Sequence, residues 1–196
     1  MGRSSQQQAA ENRQKIVDCA CALFRERGVD NVSVADVMAA NGMTVGGFYK
    51  HFASKDALIE EAFTRTFDQS ADVWHDVFEA ADAKGSSRIG ELVRRYLRNH
   101  VPARRCPILA FAPHVTTSEP AATSAEAYAS GTKGLFELFI EGQRGQRADD
   151  AARADDRQAA MLLFAAMVGA RVIEQAVGQA RWVQDMQAAV RDFAER

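Results

Sequence analysis

All four prolines of this 196-residue chain, Pro102, Pro107, Pro113 and Pro120, fall within residues 102–120. Proline removes a backbone donor and clashes with the preceding helical turn, so its absence elsewhere leaves both flanks open to uninterrupted helix. Strand signals are nearly missing. There is no sustained period-2 alternation, and Asn41-Gly42 lies between two helical patterns instead of in a hairpin. The expectation is an all-α fold.

The periodicity predicts helices in turn. Ile16, Val17, Ala20, Leu23 and Phe24 share one helical face over about 8–28, and Gly28 stops that helix. Ser33 reads as an N-cap with Asp36 three residues on, a capping-box pattern with Asp for the usual Glu or Gln. Asn41-Gly42 ends this short helix. Thr44 is the next candidate cap, for a second short helix reaching about His51. Ser54 caps a long third helix, which breaks at Ala83–Ser87. Further helices are expected at about 88–100, 107–117, 122–144, 153–178 and 181–195, with a loop or frayed ends over 146–153.

Composition excludes several classes. Hydrophobic residues make up 47% and charged residues 26%, ordinary values for a globular domain. No apolar run approaches the roughly 20 residues of a membrane span, and the polar start lacks a secretory apolar stretch. Cys19, Cys21 and Cys106 are too few for a disulfide framework and fit a reducing, cytoplasmic setting. The formal charge of −2 supplies no bulk attraction for a polyanion, so nucleic-acid binding would need a local surface. No phosphate-binding glycine loop with Lys-Ser/Thr, no Gly-x-Ser-x-Gly and no His-Glu-x-x-His occurs. An enzyme is therefore not expected, nor a cofactor or metal.

Two short helices joined by a tight turn make a helix-turn-helix, whose second helix enters the major groove of DNA. Here that helix would begin Thr44-Val45-Gly46-Gly47-Phe48-Tyr49-Lys50-His51. Two adjacent glycines cost about 1 kcal/mol each relative to alanine in a helix. They make sense where the backbone must approach a phosphate or base edge. Thr44 could cap the helix and touch a phosphate, and Val45 could meet a thymine methyl. Tyr49, Lys50 and His51 offer backbone-contacting donors. Phe48 and Phe52 would anchor them, and Lys55 opposes the following helix dipole unless a phosphate is near.

The stretch Thr44-Val45-Gly46-Gly47-Phe48-Tyr49-Lys50-His51-Phe52-Ala53-Ser54-Lys55-Asp56-Ala57-Leu58 resembles the signature of the tetracycline-repressor (TetR) family of transcriptional regulators. Ala22-Leu23-Phe24, Arg27-Gly28-Val29-Asp30 and Val32–Val37 resemble the same family, over about 12–62. The resemblance implies a DNA-binding module at 1–56 and a ligand-binding, dimerising body at 57–196. It implies DNA contacts at Ser33, Val34, Thr44, Val45, Gly46, Gly47, Tyr49, Lys50, His51 and Lys55. It also implies a homodimer on a palindromic double-stranded operator, released by a small-molecule effector. The final two helices would form the dimer interface through Phe164, Ala165, Val168, Gly169, Val172, Ile173, Trp182 and Met186. Arg105-Cys106-Pro107-Ile108-Leu109-Ala110 resembles a Gly-Cys-Pro-Leu-type element of one subgroup.

Candidate effector-binding residues are Phe67, Trp74, Phe78, Tyr96, Cys106, Phe111, His114 and Phe136, since small-molecule pockets are mostly apolar with a few polar groups. Core packing is the competing account of each. Two alternatives to an effector-released repressor stand beside it. One is a repressor sensing oxidants or electrophiles through Cys106, which follows Arg104 and Arg105 near a helix start. The other is a helical carrier or protein-interaction module without operator binding.

Overall fold

The computed structural model describes residues 2–98, 101–117, 119–144 and 153–195. Among the described residues the regular structure is helical: α1 (Gly2–Arg27), α2 (Val34–Ala40), α3 (Val45–Phe48), α4 (Lys55–Lys84), α5 (Arg88–Arg98), a 3-10 turn (Pro102–Arg104), α6 (Pro107–Thr117), α7 (Ala122–Arg144), α8 (Arg153–Val177) and α9 (Arg181–Ala194). The all-α expectation holds. The loop expected at 146–153 lies outside the described residues except for Arg153, which opens α8.

Helix α1 starts at Gly2, earlier than the apolar periodicity predicts. Side-chain amides support the extra turns: Gln7 Nε2 donates to Glu11 at 3.0 Å and Gln8 Nε2 to Asn12 at 3.1 Å, each one helical turn on. Gly28 ends α1 at φ +85°, a left-handed conformation that favours glycine. Helix α3 is shorter than expected, four residues instead of about eight. Its two glycines weaken the helix, and after Phe48 the chain continues in hydrogen-bonded turns, the His51 and Phe52 amides both donating to the Phe48 carbonyl at 2.8 and 3.0 Å.

Compactness divides the chain into two units, Met1–Ser70 with His100–Thr132 and Ala71–Asn99 with Lys133–Arg196. Both are discontinuous in sequence. The expected 56/57 boundary is a division by function and remains a proposal.

In the first unit, Ile16, Val17, Ala20 and Phe24 of α1 are essentially inaccessible, as are Leu58, Ile59, Ala62 and Phe63 of α4. The rings of Phe63 and Phe111 stack with centroids 4.1 Å apart. Arg25 reaches out of α1 to the 3-10 turn and to α4, donating to the carbonyls of Ala103 and Thr66 (3.3 Å each) and to Gln69 Oε1 at 3.2 Å. Tyr128 of α7 donates its hydroxyl to the Ile108 carbonyl at 3.0 Å. Gly131 lets α7 close on Phe67, for a Cβ there would lie 2.2 Å from Phe67 Cγ.

The second unit has its own core, with Leu92, Val93, Leu97, Leu135, Phe139, Leu163, Met167 and Val183 buried. A polar cluster sits inside it where α8 turns into α9. Arg171 and Glu174 pair while almost wholly buried, and Gln187 Nε2 of α9 donates to Glu174 at 2.9 Å. Buried charges are tolerable when paired and hydrogen-bonded, as here.

Candidate nucleic-acid interface

The apolar residues of the α1–α3 region form a base under an exposed tip. Val29, Val32, Val37, Met38, Phe48 and Phe52 are all buried. Phe48 stacks on Phe52 with centroids 5.4 Å apart, and Arg13 of α1 lies over the Phe52 ring at 4.3 Å. Arg13 also pairs with Glu61 of α4. The two phenylalanines fix the end of α3 to the helices behind it, as expected.

Helix α2 is capped as its spacing predicts. The Asp36 amide donates to Ser33 Oγ at 3.1 Å and the Ser33 amide donates to the Asp36 carboxylate at 2.7 Å. Hydrogen bonds from the Ser33 hydroxyl and amide hold the Asp36 carboxyl below the usual carboxylate range. Ser33 is thus already engaged in the cap, while Val34 beside it is half-buried.

Thr44, Val45, Gly46, Tyr49 and Lys50 are exposed, with Tyr49 66% and Val45 44% accessible. Gly47 and His51 are half-buried. A Cβ at Gly46 would meet nothing within 4 Å, and one at Gly47 would make ordinary contact with Met38 at 3.7 Å. Neither glycine has a positive φ. The protein's own packing therefore does not require this pair.

Two expected details differ. Thr44 has N-cap backbone geometry, but its side chain makes no capping hydrogen bond. Lys55 is not a free cation: it is half-buried, and Nζ donates to the Val29 carbonyl at 3.1 Å. An ammonium has three donors, so two remain for another acceptor.

The expected effector residues separate. Phe67, Cys106, Phe111 and His114 belong to the first unit, and Trp74, Phe78, Tyr96 and Phe136 to the second. Phe67, Phe111, Trp74 and Phe78 are buried against their own units, with Phe139 edge-on to Trp74 and Gly142 pressed on Phe78. His114 turns to Asp30, Nδ1 lying 2.6 Å from Oδ1. Half-buried Cys106 opens α6, its carbonyl accepting from the Leu109 and Ala110 amides. It lies within the electrostatic reach of Arg25 and Tyr128. Burial pushes the Cys19 and Cys21 thiols up, which suppresses thiolate at both.

The second unit presents another surface. On α8, Met161, Leu162, Val172 and Val177 are 47–65% accessible, with Ala165 and Ala166 exposed among them. Trp182 and Phe193 of α9 are 54% and 44% accessible. Of the expected interface residues, Ala165, Val172 and Trp182 are open, while Val168, Gly169, Ile173 and Met186 are half-buried. Phe164 is also half-buried and packs edge-on against Phe136 and Phe139 of its own chain. The stretch Arg157–Val177 is apolar and long enough to cross a membrane by length and composition. It carries the buried Arg171–Glu174 pair, though, and a third of its apolar window is buried within the fold. Met161, Leu162, Val177 and Phe193 are exposed apolar residues outside the expected interface set. Helical spacing from Ala165 reaches Met161 and Leu162 but not Val177, and spacing alone cannot say which face stays open.

Comparisons with known proteins bear on the N-terminal residues and on the fold. Residues 16–62 match the family described as bacterial regulatory proteins, tetR family. The chain is 41% identical over 61 residues to the HTH-type transcriptional regulator AcrR of Shigella flexneri, a match covering 31% of this chain and only 28% of that relative. The fold resembles the reduced form of E. coli NemR, with a TM-score of 0.75 at 17% identity over 93% of this chain and 96% of that one. It also resembles a TetR family transcriptional regulator from Cytophaga hutchinsonii, with a TM-score of 0.69 at 20% identity over 95% and 94% of the two chains.

Proposed function

We propose, from the premise that this chain belongs to the tetR family of bacterial regulatory proteins through residues 16–62, that it is a DNA-binding transcriptional regulator and not an enzyme. It acts in the cytoplasm as a homodimeric repressor on a palindromic duplex and leaves that duplex when a small molecule binds its body. The observation that carries the proposal is the tip of α3. Val45, Tyr49 and Lys50 face solvent over a wholly buried Phe48, and two glycines stand where nothing among the described residues needs them. A thymine methyl, phosphate oxygens and close backbone approach would use that arrangement.

Dimerisation is supported by the apolar face of α8 and α9. Exposed Leu162, Val172 and Trp182 are costly in water and suit a self-complementary two-fold contact. Two reading tips about one DNA turn apart, roughly 34–36 Å, would then meet successive half-sites. A ligand shifts binding only through different affinities for the two spacings.

The experiment is selection of bound duplexes from a random library by the full chain, followed by gel shift at moderate salt. A recovered palindrome supports the proposal. Failure to retain any duplex would favour a carrier or interaction module instead. The thiol reading keeps one supporting observation, Cys106 at the start of α6 within reach of Arg25. If alkylating Cys106 leaves duplex affinity unchanged, that reading is lost and a non-covalent effector remains.

A further inference from the structure

We propose that the Asp30–His114 contact is a joint through which α6 sets the position of the helix-turn-helix, a positioning pair and not a contact to DNA or effector. The segment between α1 and α2 is short. It starts at Gly28, whose φ of +85° turns the chain, and ends at the capping box of α2. Buried Val29 and Val32 seat it on the core. Two side chains from distant parts of the first unit grip it at adjacent residues. Lys55, the first residue of α4, donates to the Val29 carbonyl at 3.1 Å. His114 of α6, 84 positions along the chain from Asp30, places Nδ1 2.6 Å from that carboxylate.

A hydrogen bond of that length to a carboxylate is charge-assisted and stronger than a neutral one. The burial is uneven. His114 is 8% exposed, whereas the Asp30 side chain is about half accessible. Nε2 of His114 is buried without a hydrogen-bond partner, and the Phe63 ring stands edge-on at 6.0 Å. The imidazole is thus set in an apolar wall with its Nδ1 bond directed at the turn. Losing that bond would leave a second buried polar atom unsatisfied. A displacement of α6 must therefore carry Asp30 along or break the bond, and the turn leads directly into α2.

Arg25 reinforces the same connection from the other side of Gly28. It donates to Ala103 in the 3-10 turn just ahead of α6. Residues 25 and 30 thus tie both sides of the α1 stop to the segment containing α6. Neither His114 nor Arg25 belongs to the exposed α3 tip, and the turn that both of them hold is the route by which this pair acts on α2.

The proposal rests on the DNA-reading assignment for one of its two readouts only. Amide hydrogen exchange of the full chain, without DNA, is compared for the unaltered protein, Asp30→Ala, His114→Ala, the double variant and His114→Asn. Asp30→Ala removes the half-exposed partner and leaves the core intact, and the asparagine amide offers an N–H near the place of Nδ1. Each alanine substitution is expected to speed exchange over residues 32–48 by about tenfold, with α8 and α9 unchanged. The double variant should be no worse than the more severe single, and His114→Asn should restore protection. Affinity for the selected duplex should follow the same order. Faster exchange spread evenly over both units, or single effects that add in the double variant, would overturn the joint. If the unaltered chain binds no duplex, the DNA assignment fails while exchange still decides the joint.

Discussion

Gly46→Ala separates what the fold needs from what a bound duplex needs. In the free protein a methyl at this position meets nothing within 4 Å, and the backbone is not in the left-handed region. Folding should therefore tolerate the change. Alanine is favoured over glycine by about 1 kcal/mol in a helix interior, and α3 has only four residues, so the gain is at most that. For a chain of this size, 1 kcal/mol corresponds to roughly 2–4 °C in Tm. The melting temperature should stay level or rise within that range, measured at fixed protein concentration because the proposed dimer would link the two. Duplex affinity should move the other way. A methyl inserted where backbone and phosphate approach must push them apart, and loss of about 1.4 kcal/mol is a tenfold weakening. Fluorescence anisotropy on the selected duplex reads that change. Unchanged affinity with unchanged stability would refute close backbone approach at Gly46. A clear fall in Tm would refute the open space around it.

Other perturbations test the scaffold and the assembly. Ser33→Ala removes the N-cap of α2 and should cost about 1 kcal/mol in denaturant unfolding. Asp36 contributes with a defined sign: its folded pKa is depressed, so its stabilisation is present above the unfolded carboxylate value, near 3.9, and is lost as pH falls through the folded value. Unfolding curves of Asp36→Asn and the unaltered chain should thus differ at pH 7 and converge in acid. Gly131→Ala must push its methyl into Phe67 and should destabilise by about 1–3 kcal/mol in the same assay. Val172→Glu places a charge on the open face of α8. It should give monomers in analytical ultracentrifugation and abolish duplex binding, and a fully active dimer would count against that interface.

Local physics made much of this fold legible. Apolar spacing locates the helices because a 3.6-residue period writes one buried face directly into the sequence. Gly28 and the Ser33/Asp36 pair mark helix ends through chemistry confined to a few residues, and both act as expected. Helix α3 is shorter than its sequence suggests because the residues after Phe48 stay in hydrogen-bonded turns without extending the regular helix. Long-range pairings left no such trace. Lys55 reads as a cation near a helix start, and only the fold brings Val29 under its ammonium. His114 reads as a candidate effector group, and only the fold shows that α6 lies beside residue 30. On α8 the period identifies apolar residues, but it cannot separate Phe164, turned partly to its own core, from Val172, left open.

The central assignment, that the α3 tip holds the phosphate backbone of duplex DNA, is tested most directly by the salt dependence of binding. Lys50 is the better probe than Lys55, because it is exposed, whereas Lys55 also supports the Val29 turn. The affinity of the unaltered protein and of Lys50→Ala for the selected duplex is measured across a series of salt concentrations. Each lost phosphate contact lowers the slope of log affinity against log salt by about 0.9, so a dimer that loses two should show a slope shallower by about 1.8. Phosphate contact by Lys50 predicts that change with an unaltered melting temperature. Identical slopes for the two proteins, at equal affinity, would contradict it.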